Sequence, residues 1–206
     1  MLKIYDLEKN TEIEPKLIVK GLDIVRSTFP IVFKEYMRNF IISLLNDADK
    51  AEIDEIMVDF VGGLKDVPFR RIARNTAAKN VTKYTISNDR LGQYQKSAPM
   101  HVKSVINYNQ LLKEFGIEKQ FPPINDGEKI KYVMLRQNPY HIDTLAFKYF
   151  EDPPQIMEFL KTYCDHQILF DAELKKKLQD FYNALGWGEL PINIKVDRNI
   201  LNMFGL

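Results

Sequence analysis

Between Lys65 and Lys103 the sequence carries nine basic residues (Lys65, Arg70, Arg71, Arg74, Lys79, Lys83, Arg90, Lys96 and Lys103) and two acidic ones, Asp66 and Asp89. The whole chain has 29 Lys and Arg against 28 Asp and Glu, so the rest of the molecule is acidic and the positive charge is concentrated. Cations at this density attract a polyanion. They serve equally well as a solvated surface, and charge alone leaves both readings open. Catalytic chemistry has much less support. Asp54, Glu55 and Asp59 are grouped, but their spacing places them on the polar side of an amphipathic helix. The three histidines, His101, His141 and His166, have no metal-site spacing, and with a single cysteine a zinc site is not expected. No glycine-rich phosphate loop is present, and no nucleophile has a recognisable partner.

The elements that must position the basic block belong to a chain of 206 residues, enough for one ordinary domain or a domain with a small appendage. Cys164 excludes an intramolecular disulfide and is expected as a small core residue in a reducing compartment. Met1 leads into a charged, mixed segment, and no apolar run reaches membrane-spanning length, so a soluble intracellular protein is expected.

Residues 2 to 6 and 16 to 20 are expected to pair as a hairpin across the polar segment LEKNTEIE. Gly21 breaks the apolar run Leu17-Ile18-Val19, and Ser27 or Thr28 stands ready to cap a helix that Pro30 opens. Phe33, Tyr36, Met37, Phe40, Ile41, Leu44 and Leu45 then share one helical face. Ile53, Ile56, Met57, Phe60, Val61 and Leu64 repeat the rhythm up to Gly62-Gly63. The two helices are expected to pack antiparallel, so that a charge at Ile41 or Phe60 costs ~3 kcal/mol. The basic block loses that period and reads as an extended piece over Phe69 to Ala73, then a loop through Asn80. Pro99 starts another helix, with Val102, Val105, Ile106, Leu112 and Phe115 inward until Gly116. IKYVML and TLAFKYF read as strands joined across Asn138-Pro139. Helices are expected over Pro154 to His166 and over Asp171 to Leu185, the second burying Leu174, Leu178, Phe181 and Leu185. The fold class is therefore α+β, mostly helical with two small antiparallel hairpins.

Short motifs add a family likeness. Gly21-Leu22-Asp23 followed by Val25-Arg26-Ser27 resembles the glycine–hydrophobe–acid and Val-Arg-Ser signature at the end of the palm in family B DNA polymerases. Asn80-Val81-Thr82-Lys83-Tyr84 is similar to a thumb segment of the replicative polymerases of T-even-type bacteriophages. Pro99-Met100-His101-Val102-Lys103 is similar to their Pro-Phe-His-Ile-Arg segment, and Arg136-Gln137-Asn138-Pro139-Tyr140 to a turn they carry. The resemblance implies a palm-edge segment over residues 1–28, a thumb domain over 29–190 and a tail over 191–206. It further implies that Lys83 and Lys103 contact phosphates of primer–template duplex DNA. Asn80, Tyr84 and His101 would approach its sugars or groove edges. Position 103 holds lysine where the family often has arginine, which keeps the charge and loses bidentate geometry. Arg70, Arg71, Arg74 and Lys79 are DNA-binding candidates by charge only.

The palm aspartates that hold two metals in such a nucleotidyltransferase are missing from this sequence, so no catalytic residue, no metal ligand and no cofactor is expected in it. Magnesium ions would belong to the palm of an N-terminal polypeptide carrying exonuclease, fingers and palm, the other part of a split DNA-directed DNA polymerase in viral DNA replication. In the tail, Ile200, Leu201, Met203, Phe204 and Leu206 resemble the peptide that docks such polymerases on a sliding clamp; a tail folded back on its own domain is the alternative. The implied location is the cytoplasm of the infected host cell. Two further readings stay open: a standalone thumb-like DNA-binding or clamp-associated accessory protein, and a truncated product.

Overall fold

The computed structural model describes residues 4–6, 11–13, 23–87 and 90–192. Helices α1 (Ile31–Leu45) and α2 (Lys50–Gly62) form where the apolar spacing predicts them. Neither Ser27 nor Thr28 caps α1; Pro30 stands at the N-cap position with its ring-fixed φ of −58° and no side-chain cap bond is made. Helix α2 opens on a capping box instead. The Asp49 carboxylate accepts the Glu52 N–H at 3.0 Å, and the Glu52 carboxylate accepts the Asp49 N–H at 3.1 Å.

Phe60 in the last turn of α2 stacks on Tyr36 in the second turn of α1, with centroids 4.1 Å apart, so the helices run antiparallel as expected. Their burial is uneven. Phe33, Tyr36, Met37, Phe40, Ile53 and Met57 are buried, whereas Ile41, Leu44, Phe60 and Val61 are half-buried, and Leu45 and Ile56 are exposed. Cover comes from Phe170 and Phe181, which meet α1 edge-on at Phe33 and Phe40 and leave its last turn to solvent. A charge at Ile41 or Phe60 therefore keeps some access to water and costs less than at a fully buried site.

In the basic block, Pro68 opens a single helical turn, α3 (Phe69–Ile72), and strand β3 follows at Arg74–Ala77. The extended piece thus lies later than Phe69 to Ala73. Phe69 and Ile72 are three apart and both buried, which a helical turn allows and a strand, with alternating faces, does not. Strand β3 pairs antiparallel with β4 (Lys129–Met134), and β4 with β5 (Thr144–Phe147), giving the order β3-β4-β5. Arg74 lies opposite Tyr132, Ala77 opposite Lys129, and Met134 opposite Thr144. The expected second hairpin is therefore two strands of a three-stranded sheet. Its turn is held by buried Asn138, whose side-chain amide donates to the carbonyls of Arg136 (2.9 Å) and Ile142 (2.6 Å) and accepts the Tyr140 N–H at 3.2 Å.

Helix α4 (Val81–Tyr84) is one turn, and α5 (Met100–Glu114) packs along β4 and β5. Val102, Val105, Ile106, Tyr108, Leu111 and Leu112 are buried there, and the Asn107 amide donates to the Thr144 carbonyl at 2.9 Å. Gly116 ends α5 with φ +66°, a conformation that suits glycine. Helix α6 (Pro154–Tyr163) stops three residues earlier than expected, and the next helix starts at His166 instead of Asp171. There the Asp165 carboxylate caps α7 (His166–Phe170) by accepting the Ile168 N–H at 2.9 Å. A π-helical turn over Asp171–Lys175 leads directly into α8 (Lys176–Ala184). Leu174 and Leu178 are buried, Phe181 is half-buried, and Leu185 is exposed past the helix end. Cys164 is buried in backbone pairing with Leu135, and burial pushes its thiol up to about 12.

The N-terminal hairpin pairs β1 (Ile4–Asp6) with β2 (Thr11–Ile13), Ile4 opposite Ile13. Its second strand falls inside the segment expected to be the turn; residues 16–20 and the Gly21-Leu22 part of the junction motif lie outside the described residues. Among the described residues no helix is long and apolar enough to cross a membrane.

Phe33 touches Phe29, Phe60 and Phe170 and is fully buried. Phe33→Ala is expected to lower unfolding free energy by about 3–5 kcal/mol in urea titrations, and Leu45→Ala by less than about 0.5 kcal/mol. A Phe33 loss no larger than that of Leu45 would remove Phe33 from the centre of the core.

Candidate nucleic-acid interface

An open cleft of about 750 Å³ lies beside β3 and β4. Arg70, Lys79, His101, Lys129 and Lys131 line it together with Ser27, Thr28, Asn75, Thr76 and Tyr149, and among the described residues no carboxylate does. Each cation arrives from a different constraint. Arg70 sits in the middle of α3, where its guanidinium lies 5.4 Å from the Phe147 ring centroid and 5.7 Å from that of Phe69. The two rings pack edge to face at 5.2 Å, so the guanidinium is held over a fixed aromatic floor.

Lys129 and Lys131 are two residues apart in β4 and therefore share one face of the sheet. The Lys131 ammonium lies 5.0 Å from the Tyr149 ring centroid and 3.5 Å from the Arg70 carbonyl oxygen. Burial and then the neighbouring Arg70 guanidinium push its pKa down, the expected response of a cation crowded by a like charge. The Tyr149 hydroxyl donates to the Asn75 side-chain oxygen at 3.0 Å, and the Asn75 side-chain amide donates to the Ser27 carbonyl at 3.2 Å. These bonds lace the segment before α1 to β3 and fix the cleft's rim.

His101 stands in the first turn of α5, half-buried. Burial, Arg74 and Lys79 in that order lower its pKa, which favours the neutral imidazole. Arg74 itself is held by an ion pair with Glu173 at 3.0 Å and lies over the Tyr132 ring. Arg71 turns away from the cleft and pairs with Glu35 on α1.

A second group forms alongside. Thr85 and Tyr94 pair as backbone neighbours, and the Gln95 N–H donates to the Tyr84 carbonyl at 2.9 Å, which joins the two segments. The Lys83 ammonium lies 5.3 Å from the Tyr84 ring and the Lys103 ammonium 5.3 Å from the Tyr94 ring. Asn80 is exposed in the left-handed region (φ +57°) just before α4. The structure thus gathers Arg70, Lys79 and His101 into the cleft, sets Lys83 over Tyr84 and Lys103 over Tyr94, and commits Arg71 and Arg74 to ion pairs.

Lys129 and Lys131 are the cleft residues that the sequence reading passed over. They lie outside the basic window, and the alternation Lys-Ile-Lys in an expected strand was the available signal. Ile200, Leu201, Met203, Phe204 and Leu206 lie outside the described residues. Among the described residues no cluster of three or more His, Cys, Asp or Glu is placed to hold a metal ion. What the cleft can do is hold anionic oxygens between fixed cations, hydroxyls and an amide.

His101 is expected to titrate below 6.5 in an NMR pH series, and Arg74→Gln is expected to move its midpoint upward by removing one of the two nearby cations. An anion entering the cleft would also raise the midpoint, so binding should take up a proton and tighten as pH falls below neutrality. A midpoint at or above 6.5 in the unbound chain would contradict the placement of the ring.

No protein-family model matches the chain. It is similar to the DNA-directed DNA polymerase of Enterobacteria phage T4, at 25% identity over 187 residues, covering 90% of this chain and 20% of that protein. It is likewise similar to the DNA-directed DNA polymerase of Escherichia phage RB69, at 23% identity over 188 residues, covering 89% of this chain and 20% of that protein. The chain spans about a fifth of the length of the curated relatives it matches. The likeness carried by the short motifs therefore extends over nine-tenths of the chain, as similarity to a part of a family B polymerase.

Proposed function

We propose that this chain is the duplex-gripping portion of a phage family B DNA polymerase, holding primer–template DNA while the chemistry is performed by sequence outside it. The observation that carries the reading is the cleft in which Arg70, Lys79, Lys129 and Lys131 converge, with no carboxylate among the described residues that line it. Phosphate oxygens repeat along a duplex whatever its sequence, and ammonium and guanidinium groups recognise them without reading bases. A polymerase must hold every sequence alike, which such contacts achieve. His101, whose pKa is lowered by burial and then by Arg74 and Lys79, is a hydrogen-bonding group at the same wall, and an approaching phosphate would favour its charged form. Lys83 and Lys103, on their tyrosines, extend the positive surface.

In this reading an exonuclease, fingers and palm polypeptide supplies the magnesium ions and the bond-making step. The tail from Asn199 to Leu206 is proposed to dock on a sliding clamp. Its support is sequence alone, the run of Ile200, Leu201, Met203, Phe204 and Leu206 after a polar stretch.

Primer extension by the chain alone, and then mixed with a palm-bearing polymerase polypeptide from the same genome, tests the whole reading. Extension only in the mixture is the expected result. Processive extension by that polypeptide unaided would make this chain an accessory binder. Lys129→Ala with Lys131→Ala is expected to weaken duplex binding for all sequences and to reduce the slope of log K against log salt by about two. An unchanged slope takes both lysines off the phosphates. Removing residues 199–206 is expected to abolish clamp association while duplex affinity stays the same; clamp binding that survives the truncation discards the tail as its docking peptide.

A further inference from the structure

The loop that follows β5 carries a feature the phosphate cleft does not use. Phe150 is 81% exposed, the most exposed large apolar side chain among the described residues. It follows Tyr149, which lines the cleft, and precedes Glu151, which turns the chain through the left-handed region at φ +64°. That conformation is uncommon for a non-glycine residue, and the residues that flank it are tied down. The Asp152 carboxylate accepts the Lys148 N–H at 2.9 Å and closes the loop, the Lys148 ammonium donates to the Pro122 carbonyl at 2.9 Å, and the Tyr149 hydroxyl is tied to Asn75. Pro153 then starts α6. Phe150 is therefore displayed on a pinned loop.

Its surroundings indicate what covers it. The cleft beside it is cationic, and at its rim the Lys131 ammonium lies on the exposed ring of Tyr149, the residue before Phe150. Exposed rings beside cations are the composition of surfaces that follow a single nucleic-acid strand, the cations on the phosphates and the rings on base faces. Inside a duplex both faces of every base are already stacked. A ring at the rim can gain stacking only from a base that has lost its partner.

We infer that Phe150 stacks on an unpaired base where single-stranded DNA adjoins the duplex held in the cleft. This rests on the reading of the cleft as a DNA site and adds to it a preference for junctions over fully paired DNA. The contact is apolar, so it changes affinity without releasing counterions. That separates it from every lysine and arginine nearby.

The test compares binding of the full chain to two fluorescent oligonucleotides of equal duplex length, one blunt and one with a single-stranded overhang, across a salt series. Phe150→Ala is expected to weaken overhang binding about tenfold, to leave blunt-duplex binding within twofold, and to keep both salt slopes unchanged. Phe150→Trp is expected to restore overhang affinity, and its indole fluorescence to be quenched by the overhang beyond any change from Trp187 in the unaltered chain. Equal losses on both DNAs would overturn the stacking assignment, and so would a reduced salt slope. Unchanged affinity for both would overturn it too and leave the ring to a protein partner. If the unaltered chain binds neither DNA, the cleft reading itself is overturned, and this inference with it.

Discussion

The two-sided pairing of β4 governs the rest of the molecule. A central strand must satisfy hydrogen bonds on both edges, and here β3 and β5 fix its register from Lys129 opposite Ala77 to Met134 opposite Thr144. Side chains alternate along a strand, so a slip of one residue would move Ile130 to the face of the lysines and turn Lys129 and Lys131 toward the core. The side of Ile130 cannot accept them, since Ile130 is fully buried and Tyr132, two residues on along the same face, is buried as well. The lysines' own face is closed beyond them, where Val133 and its cross-strand neighbour Leu145 are fully buried, so the charge is confined to the start of the strand. Helix α5 reinforces the register through Asn107, whose amide reaches the Thr144 carbonyl beside the strand end.

That framework sorts a set of cations that look equivalent in sequence. Arg71 and Arg74 find carboxylates on α1 and on the π-helical turn, and they tie α3 and β3 to neighbouring helices. The Arg71–Glu35 pair is half-exposed on both sides and adds little to stability. Glu173 is only 11% exposed, so its pair with Arg74 is more strongly constrained. Arg70, one residue before Arg71, is turned about a third of a helical circuit away and meets rings instead of acids. The partition follows from helical geometry, with neighbouring residues on different faces and only one face open to the cleft.

The pattern of what could be read in advance has the same cause. Helices α1, α2 and α5 announce themselves through apolar periodicity, and β4 and β5 through β-rich runs bounded by Asn138-Pro139. The basic block does not, because Phe69 and Ile72 are its only strong apolar pair within one turn and the arginines between them hide the spacing. Strand β3 is half-buried along its length, with no alternation to detect, and exists because β4 offers it an edge. The start of α7 was missed because its N-cap, Asp165, lies in a segment that the sequence reading had already given to the preceding helix. Gathering the cleft from Arg70, His101 and Lys131 requires folding and cannot be read from one window. The motif positions Lys83, Lys103 and His101 were legible by likeness; the placement of His101 in the cleft and of the two lysines over tyrosines was not.

Cys164 has a practical bearing on how the molecule can be observed. The thiolate is the reactive form, and a buried thiol pushed up to about 12 is almost entirely protonated at neutral pH. Dyes and spin labels directed at sulfur will therefore pass it by as long as the fold is intact. A cysteine engineered onto the cleft rim would react alone, and the native chain already provides the silent background that site-specific distance measurements require.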